Sequence, residues 1–288
     1  MLTELPSQSS ILATILAQAH ARRRRRSLVT DHPRAPVPFI VGSVRSGMTL
    51  VRLMLDSHPG LAIAPETGFL PQALGSLFGN DERQRRSFSE TLTRYPPQAP
   101  GWSEFGVDSS ELMRELQTIT PFRLDEAIRC FYRMYAARFH KDRWGDGTPA
   151  YGRHMRAIEQ VLPEACFIHV IRDGRDVALS FCRRGLAARV DMATLARQWR
   201  RDIRAIRGQS LGVQHYLELR YESLVLDPET CLRDLCDFIE IDYDPLIRRA
   251  MGSPDPTRLS RWRTEMLPKE RATYEGIAGG LLGALDYT

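Results

Sequence analysis

The sequence predicts an α/β protein in which a mostly parallel sheet is flanked by helices, and three observations carry that prediction. An apolar run, Val37 to Val41, ends in a glycine-rich segment that opens a helix. A second run, Cys166 to Ile171, breaks at Arg172-Asp173-Gly174 and resumes as a helix through Cys182. Further on, His215 to Leu219 reads as a strand and Pro228 to Ile239 as a helix, its start marked by Asp227-Pro228. Strands alternating with helices form βαβ units, whose crossovers cover both faces of the sheet.

Before the first strand, residues 1–36 read as a basic arm. The apolar run Ile11 to Ala21 is short, and Arg22 to Arg26 follows it, whereas a secretory signal carries its charge first. Pro33, Pro36 and Pro38 mark a linker, and the folded domain is expected over 37–288. Leu50 to Asp56 places apolar residues on a helical period, and Leu61 to Ala64 is a second short strand. From Pro71 to Pro121 the chain is rich in Pro, Ser and charge, with a helical patch at Ser109 to Gln117, so the region 71–150 reads as a helical insertion. Two helices are expected from Arg123 to Phe139 and from Tyr151 to Leu162, the second opened by Thr148 as a cap with Pro149 at its first position.

With 43% hydrophobic and 26% charged residues, the chain has apolar material for one large core or two small ones. The net charge of +5 comes almost wholly from arginine, since Lys141 and Lys269 are the only lysines. A guanidinium fork suits phosphate and sulfate oxygens, yet an arginine bias also tracks base composition, so charge alone assigns no partner and no nucleic acid is expected. Five cysteines, odd in number and without a CxxC pair, read as reduced thiols of a cytoplasmic protein. The seven histidines show no metal-ligand spacing, so no metal is expected. No stretch approaches the roughly 20 apolar residues of a membrane span.

The segment Gly42-Ser43-Val44-Arg45-Ser46-Gly47-Met48-Thr49 has the spacing of a P-loop, with Met48 where the lysine would stand. Backbone amides converge there and the helix start adds partial positive charge, so the loop suits a diphosphate-like anion. Without the lysine, and without an evident acidic metal ligand, magnesium-dependent turnover of a nucleoside triphosphate is poorly supported. A P-loop kinase or NTPase is the alternative enzyme reading, and a plain glycine turn linking strand to helix is the structural one.

The run Phe39 to Leu50, followed by Leu53-Met54-Leu55-Asp56-Ser57-His58-Pro59, resembles the 5′-phosphosulfate loop of sulfotransferases. It is similar to the branch containing the tyrosylprotein sulfotransferases and bacterial relatives. The resemblance implies the sulfotransferase fold, which is P-loop NTPase-like. It also implies 3′-phosphoadenosine 5′-phosphosulfate as donor and a small-molecule or peptide hydroxyl as acceptor, with the 71–150 insertion shaping the acceptor side. On this resemblance Arg45, Ser46, Gly47, Met48, Thr49 and Leu50 line the donor, and Arg45 neutralises the leaving oxygen. Val44 stands where that branch has Pro, and Met48 where it has Thr.

The run Ile168 to Ser180 resembles the family's 3′-phosphate site, which assigns Arg172 and Ser180 to that phosphate. The alternative there is a surface turn whose Asp173 and Asp176 cap the helix. Leu219-Arg220-Tyr221 resembles the segment whose tyrosine lies near the adenine, the alternative for Tyr221 being a half-buried core position. Leu259-Ser260-Arg261-Trp262-Arg263 resembles a segment that closes over the donor, which makes Ser260 and Arg261 phosphate contacts. Glu66 stands at the position of the catalytic base, and His58 is its rival, read as part of a turn. Gly147 occupies the place before Thr-Pro where relatives carry a lysine, and a donor-binding relative without turnover is the reading that this departure leaves open. The sequence leaves both the acceptor and homodimerisation open.

Overall fold

Strands covered on both faces bury every residue, and Val37–Gly42 (β1), Leu61–Ala64 (β2) and Ala165–Ile171 (β4) do so. Tyr216–Arg220 (β5) alternates, with Leu217 and Leu219 inward, as a strand at a sheet edge does. A fifth strand, Arg143–Asp146 (β3), completes an all-parallel sheet in the order β2-β3-β1-β4-β5. The register sets Phe39 opposite Asp146 and Phe167, and Ile171 opposite Arg220. The computed structural model describes residues 34–75, 80–94, 102–183, 190–250, 252 and 255–287, and its compact unit is Ala35–Thr288. The expected arm, with Ile11 to Ala21 and Arg22 to Arg26, lies almost wholly outside the described residues.

The helices that position the site are Met48–Asp56 (α1), Leu124–Ala137 (α2), Met155–Val161 (α3), Gly174–Arg183 (α4), Met192–Ser210 (α5), Tyr221–Leu226 (α6), Pro228–Phe238 (α7) and Pro268–Ala284 (α8). Alternation along β1 splits the core. Phe39 and Val41 face a cluster with Phe131, Tyr132 and Tyr151, whereas Ile40 faces one with Val51, Leu55 and Leu235. Trp199, Trp262 and Tyr274 centre a third cluster between α4, α5 and α8. Among the described residues no helix is long and apolar enough to cross a membrane.

β3 was not legible as a strand. Arg-Trp-Gly-Asp carries no β-branched residue, and Gly145 is there because a Cβ would collide with the Pro38 carbonyl and the Ile63 side chain. The region 71–150 therefore supplies an inner strand as well as helices. Thr148 and Pro149 open a 3-10 turn, Pro149–Arg153, ahead of α3, and the Thr148 hydroxyl makes no cap bond. It accepts a hydrogen bond from the Thr67 N–H at 2.9 Å instead.

Because every strand runs the same way, the segments that follow β1, β2, β3 and β4 all emerge at one edge of the sheet. The chain reverses direction of growth at β1, passing from β3 on one side to β4 on the other, and a crevice opens at such a switch point. That edge gathers Gly42, Glu66, Gly147 and Arg172.

Candidate active site

The loop after β1 is shaped by two left-handed residues, Arg45 at φ 74° and Gly47 at φ 105°. Gly47 precedes α1, and a Cβ there would collide with Cδ2 and Cε2 of Tyr221. Only glycine meets both demands. The Met48 side chain turns into the core, Thr49 is exposed and Leu50 packs against the core. Ser46 is buried with its hydroxyl unpartnered.

Two other strand ends meet this loop. Arg45 Nε donates to Ser180 Oγ on α4 at 3.2 Å. Arg172, just past β4, is buried, donates through Nη2 to the Arg258 carbonyl at 3.1 Å, and lies over the Tyr221 ring. Among the described residues its Nε has no hydrogen-bond partner, nor does the buried Nε of Arg261. Ser260 adopts φ 54°, and its N–H donates to Asp176 Oδ2 at 2.8 Å while the Trp262 N–H donates to Oδ1 at 3.0 Å. Asp176 thus fastens the 260–262 segment to α4 rather than capping the helix. Burial pushes its carboxyl up, and the two amide donors oppose that shift. Asp173 accepts from the Arg175 N–H at 2.9 Å, and Arg175 is drawn inward by Asp173 and Glu275.

Glu66 follows β2 and lines a cavity of about 360 Å³ together with Gly42 and Val44 of the glycine loop. Burial raises its carboxyl above the ordinary glutamate range, and the positive charge of Arg52 works against the rise. Thr148, Arg153 and Asp202 form further walls. Asp202 accepts from Ser43 Oγ at 3.3 Å and pairs with Arg153, so α5 holds the base of the loop. His58 lies elsewhere: its Nδ1 accepts from the Gly60 N–H at 3.0 Å and its Nε2 stands 3.1 Å from the Asp242 carbonyl. One nitrogen serves the local turn and the other faces the segment at Asp242.

Arg153, Gln198 and Asp202 were missed in the sequence. The spacing Leu195, Trp199, Ile203, Ile206 is helical and marks α5, which carries Gln198 and Asp202. No local signal singles out Arg153.

Among the described residues the buried Ser46 Oγ, Arg172 Nε and Arg261 Nε have no hydrogen-bond partner, and such donors suit anionic oxygens. Fold and site together define an α/β protein with a parallel sheet whose glycine loop and arginines form a candidate anion site. Residues 36–245 match the profile of the sulfotransferase family, and the chain belongs to that family. It is 27% identical over 219 residues to protein-tyrosine sulfotransferase 1 of Danio rerio, covering 74% of this chain and 55% of that protein. Protein-tyrosine sulfotransferase A of Caenorhabditis elegans is 28% identical, with 73% and 51% covered. The chain thus spans about half the length of these relatives. Among solved structures, the sulfotransferase domain of the Synechococcus PCC 7002 olefin synthase aligns with TM-score 0.58 at 24% identity, covering 89% of this chain and 98% of that one. The sulfotransferase domain from the curacin biosynthetic pathway aligns at 0.56 and 19%, covering 86% and 97%. These likenesses show the fold.

Proposed function

We propose that the chain transfers the sulfuryl group of 3′-phosphoadenosine 5′-phosphosulfate to an acceptor hydroxyl, with Glu66 as general base. The observation that carries this reading is a cavity lined by both Glu66 and the glycine loop. The donor, as substrate, brings the activated sulfonate. The amides of Ser46 to Thr49 and the Arg45 guanidinium hold the 5′-phosphate end, while Arg172, Ser180 and Arg261 serve the 3′-phosphate. Tyr221 backs both, and Ser260 shapes the segment that covers them. Glu66 accepts the acceptor's hydroxyl proton as its oxygen bonds to sulfur and the bond to the departing phosphate breaks. The scheme calls on no metal.

The acceptor is a small molecule or a peptide hydroxyl. The named activity of the relatives puts peptide tyrosine on the panel beside phenols, sugars and lipids. Five free thiols, none of them paired, suit a cytoplasmic enzyme. The test is transfer of labelled sulfate from the donor across that panel, with thermal shifts by 3′-phosphoadenosine 5′-phosphate in EDTA alongside. Stabilisation by the bisphosphate without metal is expected. Stabilisation by ATP only with magnesium, and none by the bisphosphate, would move the assignment to a nucleotide kinase.

A further inference from the structure

The Glu66 carboxylate has no hydrogen bond or ion pair among the described residues, so its place in the cavity depends on the backbone that carries it. That backbone is gripped at the next residue. Thr67 is buried; its N–H donates to Thr148 Oγ1 at 2.9 Å, and its hydroxyl donates to Asp146 Oδ2 at 2.7 Å. Asp146, fully buried at the end of β3, also accepts from the Tyr132 hydroxyl at 2.9 Å, and at Oδ1 from the Thr148 N–H at 2.7 Å. With the Thr67 proton committed to Asp146, the Tyr151 hydroxyl 2.7 Å away must donate to Thr67, and it accepts in turn from the Leu70 N–H at 3.2 Å. The Tyr132 hydroxyl also stands 3.1 Å from Thr67 Oγ1, so the hydroxyls form one connected network around the Asp146 carboxylate.

We propose that Asp146, acting through the Thr67 hydroxyl, is a positioning residue that sets where the Glu66 carboxylate stands in the cavity it shares with the glycine loop. The inference rests on Glu66 as the base. It adds that the catalytic carboxylate is held at second hand, by a buried carboxylate on the neighbouring strand, and is left without partners of its own so that it can take a proton.

Thr67→Val removes the hydroxyl and keeps the shape, and Thr67→Ser restores the hydroxyl. Three readouts separate positioning from a structural role. In protein labelled with carboxyl-¹³C glutamate, the Glu66 signal, identified by its loss in Glu66→Gln, should titrate closer to ordinary glutamate in Thr67→Val, because the released turn admits water. In Thr67→Ser it should keep the wild-type titration. Stabilisation by 3′-phosphoadenosine 5′-phosphate should be the same in all three proteins, since the glycine loop is not part of the network. Turnover with an acceptor from the panel should fall about tenfold or more in Thr67→Val, yet Glu66→Gln/Thr67→Val should be no slower than Glu66→Gln alone.

An unchanged Glu66 titration in Thr67→Val overturns the positioning role, as does an equal loss of turnover in both backgrounds or a lost response to the bisphosphate. If Thr67→Val does not fold, Asp146→Asn replaces one of the two acceptor oxygens that hold Thr67 and Thr148, and an unmoved Glu66 signal there counts equally against the proposal. Full turnover in Glu66→Gln sinks the base assignment alone, because the titration still reports whether Thr67 places the carboxylate.

Discussion

The Arg172 guanidinium lies over the ring of Tyr221, 4.4 Å from its centroid, and the same ring closes against the glycine loop at Gly47. One tyrosine thereby couples Arg172 to the glycine loop, through cation–π contact on one side and a missing Cβ on the other. Gly47→Ala should therefore disturb both. Holding alanine at φ 105° costs on the order of 1–3 kcal/mol before Tyr221 is pushed aside. A lowered melting temperature is expected, with loss of the stabilisation by 3′-phosphoadenosine 5′-phosphate. Wild-type melting with a normal bisphosphate response would show that the ring does not close on the loop.

Arg172 donates to the Arg258 carbonyl and rests on the Tyr221 ring, while its Nε has no hydrogen-bond partner among the described residues. Removing a charged partner of a phosphate costs on the order of 1.5–3 kcal/mol, roughly ten- to a hundredfold in affinity. Calorimetry should show Arg172→Ala weakening 3′-phosphoadenosine 5′-phosphate by that factor and adenosine 5′-phosphosulfate, which lacks the 3′-phosphate, far less. Equal losses for both nucleotides would remove Arg172 from the 3′-phosphate.

What the sequence showed and what it hid divide along a physical line. β1, β2 and β4 were readable because strands buried on both faces are short apolar runs, and the glycine loop because its conformation admits few residues. β3 was hidden because its stability comes from pairing on both sides, with Gly145 chosen for close approach rather than propensity. The role of Thr148 was misread for a related reason. A Thr-Pro pair is a local cap signal, but the Thr67 N–H, 81 residues away, competes for the same hydroxyl and has it. Asp176 likewise reads as a helix cap in sequence, and only the fold brings the amides of Ser260 and Trp262 to it.

Burial raises the Asp146 carboxyl to about 6, the donors from Thr148, Thr67 and Tyr132 opposing the shift. A carboxyl whose folded value lies above its unfolded value favours the folded state fully below the unfolded value, and that contribution is lost as pH rises through the folded one. Asp146 should therefore make the protein less stable between about pH 4 and pH 7, by on the order of 3 kcal/mol if nothing compensates. Asp146→Asn has no proton to lose. Its melting temperature relative to wild type should climb across that window and level off above it. A difference that stays flat with pH would mean that the ionised carboxylate is fully offset by its donors.

Gly147 and Arg52 make the last test. The aliphatic stem of Arg52 crosses Gly147 so closely that a Cβ there would stand 2.9 Å from Arg52 Cδ, and Arg52 Nη1 donates to the Ile63 carbonyl at 3.4 Å. The absent side chain is what lets this arginine lie across the ends of β2 and β3. Its charge lowers the proton affinity of Glu66, against the rise caused by burial. A general base must be ionised to act, so kcat/KM falls as pH drops through its value, and that acid limb should lie above the ordinary glutamate range. Arg52→Met removes the opposing charge and should move the limb to still higher pH. Gly147→Ala, by pushing the stem aside, should move it in the same direction and by less. Arg52→Met/Gly147→Lys brings a cation back from the other side and should return the limb towards wild type. A limb that stays in place in Arg52→Met, measured from pH 4.5 to 8, would show that this arginine does not tune the base.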